Sequence, residues 1–138
     1  MRGLALRESA QPSDDLAIAG SLEALGVLRA RQGDFEGADS FFSRTLEIRE
    51  AILGGSHPEV GQSLSNLGAV RYRRRQYDDA KRFLQRALDV KTEVLGPEHA
   101  DVGDILVNLG ALAYAQEDRA EAARYFERAR EVWEASLG

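Results

Sequence analysis

Residues 66–96 read NLGAVRYRRRQYDDAKRFLQRALDVKTEVLG, and two other stretches of the chain follow the same pattern. Residues 24–54 read ALGVLRARQGDFEGADSFFSRTLEIREAILG, and residues 108–138 read NLGALAYAQEDRAEAARYFERAREVWEASLG. Neighbouring copies are offset by 42 residues without a gap. A repeat of this length predicts a linear array of similar supersecondary units, each of which contacts mainly its neighbours.

The aligned copies share small and large apolar residues at fixed positions. Two columns hold only small residues: Gly26, Gly68, Gly110, and Ala38, Ala80, Ala122. Two further columns hold large apolar residues: Leu25, Leu67, Leu109, and Phe42, Leu84, Phe126. This alternation indicates that two helices approach closely within each unit and that large side chains fill the space between units.

Apolar residues within each copy follow the three-and-four spacing of amphipathic helices. A short polar turn, such as RRQY at 74–77, divides each copy into two helices, and the second helix ends at a glycine. We predict Ser56 as the N-cap of the next helix, with Glu59 three residues later. The spacing predicts helices at about 15–31, 35–53, 58–75, 77–95, 99–116 and 119–137.

The composition is that of an ordinary globular protein, with 43% apolar and 30% charged residues in 138. The chain has no cysteine, which excludes disulfides and thiolate metal sites. No apolar run approaches the roughly 18 residues that span a bilayer, and the N-terminus lacks a secretory signal. These features predict a cytoplasmic protein that has no membrane partner, no metal and no cofactor.

The order of residues in each copy resembles the tetratricopeptide (TPR) repeat. The first copy has Leu-Gly at 25–26, an aromatic at Phe35, then Ala38, Phe42 and Leu46. The 42-residue period, with LGGSHPEV joining two copies, more specifically resembles the repeats of kinesin light chains. The resemblance implies an all-α, right-handed superhelical solenoid of stacked antiparallel helix hairpins.

The repeat pattern extends over nearly the whole chain. We interpret residues 1–138 as a single TPR array of about three repeats plus a partial N-terminal helix. Residues 1–12 would be the tail of a preceding repeat helix, followed by repeats at 13–54, 55–96 and 97–138. We expect the array to be a piece of a longer chain, because no polar capping helix is evident at its end.

The resemblance also implies that the first helices of the repeats line a concave groove. Arg31 and Arg73 then lie one repeat apart in it, and arginine binds carboxylates with bidentate geometry. The amides of the two NLG asparagines could bond to a peptide backbone or, alternatively, between helices. The arginines could alternatively extend over the surface toward water. The candidate peptide-binding residues are Arg31, Asn66, Tyr72, Arg73, Asn108 and Tyr114.

The basic run RYRRR begins at Arg71, in a chain of net charge −5. Because successive helical residues point in different directions, these five residues cannot form one patch. We predict that Arg71 packs beside the second helix and that the next two side chains face the groove. Arg74 and Arg75 should lie in the turn, offset by Asp78 and Asp79.

Three functions are compatible with such an array. The leading hypothesis is a non-catalytic module that binds a partner peptide, expected to be acidic, in the groove. The alternative is a structural element that self-associates through its exposed repeat ends. Nucleic-acid binding is disfavoured because the formal charge is +3 for residues 55–96 but −4 for 13–54 and −5 for 97–138. We predict no enzyme, because Ser56-His57 and His99-Asp101 occupy helix starts, where such residues act as caps.

Overall fold

The computed structural model of the protein describes residues 11–137. Within that range the chain forms six α-helices and no β-strand, which confirms the all-α prediction. The helices are α1 (Pro12–Arg31), α2 (Phe35–Leu53), α3 (Pro58–Arg73), α4 (Tyr77–Leu95), α5 (Ala100–Ala115) and α6 (Arg119–Leu137).

The helices pair in chain order into three hairpins: α1 with α2, α3 with α4, and α5 with α6. The hairpins stack so that α2 contacts α3 and α4 contacts α5. One apolar core runs through the stack, from Phe42 through Leu64 and Leu84 to Leu109. This arrangement is the predicted solenoid, in which every unit buries its apolar face against a neighbour.

Three of the six predicted helices have the predicted bounds, and three differ slightly. Helix α1 begins at Pro12, which the predicted boundaries had assigned to a preceding helix, and residues 1–10 of that predicted segment lie outside the described range. Helix α3 ends at Arg73, two residues before the predicted end, and α5 is one residue shorter at each side. The differences lie at helix ends, where sequence patterns are least specific.

The turn inside each hairpin contains one residue in the left-handed conformation. Its φ is 82° at Gly33, 64° at Arg75 and 65° at Glu117. The next residue donates its backbone N–H to the carbonyl five residues earlier, as Asp34 does to Arg29 at 2.9 Å. This is a Schellman helix end. The second and third hairpins retain it although their left-handed residue is not glycine, and that conformation costs about 1–2 kcal/mol for each such residue.

The helices α3 and α5 begin at histidine caps. His57 Nδ1 accepts the backbone N–H of Glu59 at 3.1 Å, and His99 Nδ1 accepts that of Asp101 at 3.0 Å. The prediction of Ser56 as the N-cap is therefore wrong, because the histidine ring reaches the free N–H groups of the first turn. Ser56 instead donates to Glu93 at 3.4 Å.

The close approach of the two helices in each hairpin occurs at the predicted glycine column. A Cβ added at Gly26 would lie 2.5 Å from the Phe42 ring, and one at Gly110 would lie 2.6 Å from the Phe126 ring. At Gly68 it would lie 2.5 Å from Leu84 Cγ. The large side chain of one helix thus rests on the bare backbone of the other, and no larger residue fits.

Replacing Gly68 by alanine should therefore destabilise the protein. Overpacking costs about 1–3 kcal/mol, which outweighs the roughly 1 kcal/mol gain in helix propensity. The matched control is Gly20→Ala, since nothing lies within 4 Å of a Cβ at Gly20 in α1. Urea denaturation should give a lower free energy of unfolding for Gly68→Ala and an equal or higher one for Gly20→Ala. Equal effects of the two changes would contradict the packing described here.

Buried cations join successive hairpins. Arg49 near the end of α2 and Lys91 near the end of α4 occupy the same repeat position, and they are 6% and 4% exposed. Arg49 Nε lies 3.7 Å from the carboxylate of Glu59, and Lys91 Nζ lies 2.9 Å from that of Asp101. Each acid stands ten residues after its cation, in the first turn of the next hairpin. These ion pairs fix how one hairpin sits on the next.

A second ionic contact between hairpins centres on Asp39, which is buried in α2. Arg71 Nε donates to Asp39 at 2.6 Å, and Arg74 Nη1 donates to it at 2.9 Å. Arg71 also bonds Asp79 at 3.0 Å, and its guanidinium lies over the ring of Phe83 in α4. Arg71 thus packs beside the second helix as predicted.

The prediction that Asp78 and Asp79 offset Arg74 and Arg75 is wrong. Arg74 reaches back across the interface to Asp39 in the preceding hairpin, whereas Asp79 pairs with Arg71 and with Arg82. The partner was missed because it lies 35 residues away in the sequence.

The charge of Asp39 makes the stability of the fold depend on pH. Burial by itself raises the pKa of this carboxyl, but the hydrogen bonds and positive charges of Arg71 and Arg74 outweigh burial and hold the pKa below its usual value. For Asp101, the hydrogen bond from Lys91 likewise lowers the pKa. A carboxyl with a lowered pKa stabilises the fold above its usual value, near pH 4, and that stabilisation disappears as pH falls through the folded pKa.

Replacing Asp39 by asparagine should lower the free energy of unfolding by about 2–3 kcal/mol at pH 7. Breaking a buried ion pair costs about 3–5 kcal/mol, and the arginines here are partly exposed. Urea denaturation at pH 7 and pH 3 should show the difference from wild type shrinking at low pH, because the stabilisation by a carboxyl with a lowered pKa declines once the pH falls below its usual pKa. The exposed Asp89 supplies the control change Asp89→Asn. A difference from wild type that stays constant with pH would rule out the ionic contribution.

Candidate binding groove on the first helices

Three cavities lined by residues between 11 and 137 open along the surface formed by α1, α3 and α5. The largest of these three, of about 580 Å³, lies between α1 and α3. It is lined by Gly20, Glu23, Ala24, Val27, Leu28, Arg31, Gln62 and Asn66. We call the surface the groove and this first space the entry cavity.

Two smaller cavities open along the groove. The α1–α3 pocket, of about 300 Å³, is lined by Val27, Ala30, Arg31, Phe35, Phe42, Asn66, Ala69, Val70 and Arg73. The α3–α5 pocket, of about 200 Å³, is lined by Ala69, Tyr72, Arg73, Leu84, Asn108 and Ala111. Both have mostly apolar walls with a few polar groups, which is typical of ligand-binding sites.

Five of the six candidate residues line these cavities: Arg31, Asn66, Tyr72, Arg73 and Asn108. The sixth, Tyr114, is not among the lining residues. Its side chain is 61% exposed, and the guanidinium of Arg119 lies 5.9 Å from its ring centre. The structure therefore brings together the candidates of the first two hairpins and places Tyr114 apart from them.

Arg31 and Arg73 carry charges that are not neutralised by nearby acids. Neither forms an ion pair with any residue between 11 and 137, whereas Arg29 lies 3.8 Å from Asp34 and Arg71 is paired twice. The guanidinium of Arg73 lies 4.7 Å from the ring centre of Phe35. Such contact with an aromatic face holds the side chain against the apolar wall while its N–H groups stay available.

Asn66 belongs to a polar network inside the groove wall. Its Nδ2 donates to Glu23 at 3.0 Å, and its Oδ1 accepts from Gln62 at 3.0 Å. Glu23 also accepts two hydrogen bonds from Arg49, each 3.1 Å long. Arg49 further donates to Ser63 at 2.9 Å. Asn66 thus makes the interhelical bond that was one of its two predicted roles.

Asn108 occupies the same repeat position but has a different environment. The residue that corresponds to Glu23 is Ser65, whose short side chain cannot reach across to α5 as a glutamate does. The side chain of Asn108 makes no hydrogen bond to any residue of the described range, although it lines the α3–α5 pocket. Its amide therefore has a donor and an acceptor available for a ligand.

The pairing of Glu23 with Arg49 was not predicted from the sequence. The available signal was the column that holds Arg49 and Lys91, two cations at equivalent positions of the second helix. A cation on a helix face whose residues three and four positions away are mostly apolar, such as Leu46 and Ile52 around Arg49, indicates a buried pair.

A sequence model of the tetratricopeptide repeat matches residues 17–93 and again residues 59–135. The chain belongs to the TPR family. The prediction of a TPR repeat protein is thereby confirmed, and repeats of this family generally bind other proteins. A search of curated proteins gave no match.

Solved structures have the same fold as this TPR array. BtubC (BKLC) from P. vanneervenii is 26% identical, with a TM-score of 0.81 over 98% of this chain, and the chain spans only 55% of BtubC. The TPR domain of Arabidopsis FLU is 16% identical, with a TM-score of 0.77 over 91% of this chain and 99% of that one. The N-terminal domain of stress-induced protein-1 (STI-1) from C. elegans is 19% identical, with a TM-score of 0.69, over 86% of this chain and 87% of that one.

The six helices of the array differ from membrane-spanning helices. None of those between residues 11 and 137 combines the length and the apolar character needed to cross a bilayer.

The two asparagines should respond differently to substitution. Asn66→Ala should lower the free energy of unfolding by about 1–2 kcal/mol, because it removes a hydrogen bond to the charged Glu23. Asn108→Ala, the matched change one repeat later, should leave it within about 0.5 kcal/mol of wild type. Urea denaturation followed by circular dichroism measures both. The assignment of Asn66 to the wall network fails if the two variants are equally stable.

Proposed function

We propose that this TPR array is a non-catalytic protein-interaction module whose groove binds an acidic peptide segment. One observation carries the proposal: Arg31 and Arg73 lie at the same position of successive first helices, line apolar cavities, and have no acidic partner between residues 11 and 137. Both side chains are exposed, so a ligand can reach them, and a guanidinium binds a carboxylate through two parallel N–H donors.

The acidic side chain in the groove does not oppose this ligand. Glu23 lines the entry cavity, but its carboxylate accepts two bonds from Arg49 and one from Asn66. Its negative charge is thereby compensated inside the wall. Among the charged residues that line the three cavities, Arg31 and Arg73 are those without an ion-pair partner between residues 11 and 137.

The non-catalytic part of the proposal is supported by the roles of the histidines. His57 and His99 use their Nδ1 atoms as helix caps and stand at separate hairpin ends. No group of three or more His, Cys, Asp or Glu side chains in residues 11–137 is arranged to hold a metal ion. The groove itself presents arginine, asparagine and tyrosine, which suit binding.

The alternative function, self-association through the repeat ends, has one observation in its favour. Phe126 is 41% exposed on α6, whereas the equivalent Phe42 and Leu84 are 4% and 0% exposed beneath the next hairpin. Trp133 on the same helix is 38% exposed. We rank this function second because the free arginines of the groove have no part in it.

Reversing both groove charges should abolish binding of acidic peptides. A peptide array of acidic sequences from a proteome selects ligands, and fluorescence anisotropy then gives their Kd. Each charge-assisted bond contributes about 1.5–3 kcal/mol, so Arg31→Glu with Arg73→Glu should weaken binding at least about 100-fold. The control, Arg44→Glu with Arg128→Glu, makes the same charge change on α2 and α6. Peptides that bind equally well to the groove variant would overturn the proposal.

A further inference from the structure

Helix α1 exposes an apolar face that the later first helices bury. We call the contact between the second helix of one hairpin and the first helix of the next a joint. The α1 face consists of Ile18, Leu25 and Leu28, which are exposed. The equivalent residues of α3 and α5 are buried: Val60 and Val102, Leu67 and Leu109, and Val70 and Leu112. Because α2 covers α3 and α4 covers α5, α1 presents the side of a joint that accepts a second helix.

Helix α6 exposes the opposite side of a joint. Its Phe126 is exposed, although the equivalent Phe42 and Leu84 are buried beneath the next hairpin. Trp133 is exposed as well, and it stands at the position that holds a buried cation in α2 and α4. We call Phe126 and Trp133 the α6 face. It corresponds to the face that α2 and α4 turn toward the following first helix.

The residues at the ion-pair position of the joint differ on both faces together. Inside the stack this position holds a cation with an acid, namely Arg49 with Glu59 and Lys91 with Asp101. The cation position of α6 holds Trp133, and the acid position of α1 holds Ala17. An acid opposite the tryptophan would be buried without a partner, which is costly. Of the three first helices, α1 alone has a small apolar residue there.

The second ionic contact between hairpins is replaced without leaving a buried charge. Asp39 of α2 pairs with Arg71 of α3, and the equivalent of Asp39 in α6 is Ala123. The equivalent of Arg71 in α1 is Arg29, whose guanidinium lies 3.8 Å from the carboxylate of Asp34 in its own hairpin. Neither face therefore needs an ionic partner at this position.

One charged residue of α6 occupies a position that is apolar in α2 and α4. Arg130 corresponds to Leu46 and Leu88. It pairs with Glu127 and Glu134 along its own helix, so its charge is compensated there. The alkyl part of an arginine side chain can still lie over apolar neighbours while its head group stays in water.

We infer that the α6 face of one copy of this chain docks on the α1 face of a second copy and continues the stack from copy to copy. Trp133 of one copy lies against Ala17 of the other, as Lys91 lies against Asp101 within a chain. Because the two faces differ, the contact is head to tail, and association continues beyond a dimer. The inference gives the second candidate function a defined partner and register, and it does not rest on peptide binding in the groove.

Analytical ultracentrifugation of the whole chain over a concentration series measures the mass of the assembly. The mass should rise with concentration and exceed that of a dimer. A chain that stays monomeric up to its solubility limit overturns the inference, and it would show that something else covers the α1 face, such as residues 1–10 of the same chain. A mass that stops at that of a dimer overturns it as well.

Two substitutions test the register of the joint. Trp133→Lys installs the residue found at the equivalent position of α4 and places a cation opposite Ala17. Ala17→Asp places an acid opposite Trp133. Each change alone should raise the dissociation constant of the joint at least about tenfold, because it leaves a buried charge unpaired. The double variant recreates the pair of Lys91 with Asp101 and should associate within about threefold of wild type. Absence of this recovery overturns the inference.

Two further variants test the direction of the contact. Leu25→Arg disrupts the α1 face, and Ala123→Arg disrupts the α6 side of the joint. Each variant alone should be monomeric, whereas an equal mixture should form a one-to-one pair and nothing larger, since it contains one intact joint. The control is Ala135→Arg on α6, because the equivalent Ala51 and Glu93 are exposed in the other hairpins. It should associate like wild type, and circular dichroism confirms that every variant is folded.

Symmetric contacts would give a different pattern. If α6 docked on α6, Leu25→Arg would still form a dimer, and if α1 docked on α1, Ala123→Arg would do so. Either result overturns the inference. Peptide binding is measured separately on monomeric Ala123→Arg, so its loss overturns only the proposed function, whereas a monomeric wild-type chain overturns only the inference drawn here.

Discussion

The contact of a large side chain with a bare glycine backbone controls the geometry of this molecule. At Gly26, Gly68 and Gly110 the first helix of each hairpin approaches the second so closely that no Cβ fits. The same close contact thus recurs at the same position of each hairpin. Residues 42 apart consequently occupy equivalent positions along the stack, and six of the nine residues that line the α1–α3 pocket have counterparts 42 residues later in the α3–α5 pocket.

The fold could be predicted from the sequence because it depends on short-range patterns. Apolar spacing within about 20 residues determines each helix, and the 42-residue period determines how the hairpins follow one another. The left-handed turn residue also follows from position, since Arg75 and Glu117 adopt the conformation of Gly33. Ser56 was wrongly chosen as a cap because the sequence alone does not show that a histidine ring nitrogen can reach the same N–H groups.

The partners of polar side chains were harder to predict. Arg74 pairs with Asp39 across the hairpin interface, although two aspartates stand closer to it in the sequence. Asn66 and Asn108 occur in the same NLG motif, yet only Asn66 faces a glutamate on the first helix of the preceding hairpin. Such differences arise from a single changed residue in a neighbouring hairpin, such as Ser65 in place of Glu23. An alignment of the repeats shows that the two asparagines are equivalent but does not show that their partners differ. The sequence could not show which polar side chains along the groove have partners within the protein and which do not.

The ion pairs between hairpins also determine in which order units can be joined. The second hairpin carries Glu59 on the side that contacts Arg49 of the first hairpin. On its other side it carries Lys91, which pairs with Asp101 of the third hairpin. Glu59 and Lys91 of the second hairpin are complementary, so tandem duplication of this unit during evolution, or its insertion in design, would preserve this ion pair. The contact made by Asp39 would be lost, because the equivalent residue of the second hairpin is Lys81. Asp101 of the third hairpin pairs with Lys91, but the third hairpin itself has Trp133 at the position that holds Arg49 and Lys91 in the first two hairpins. A unit that followed the third hairpin would need an apolar surface opposite Trp133. The contacts between successive hairpins therefore differ along the array, so the units are not interchangeable.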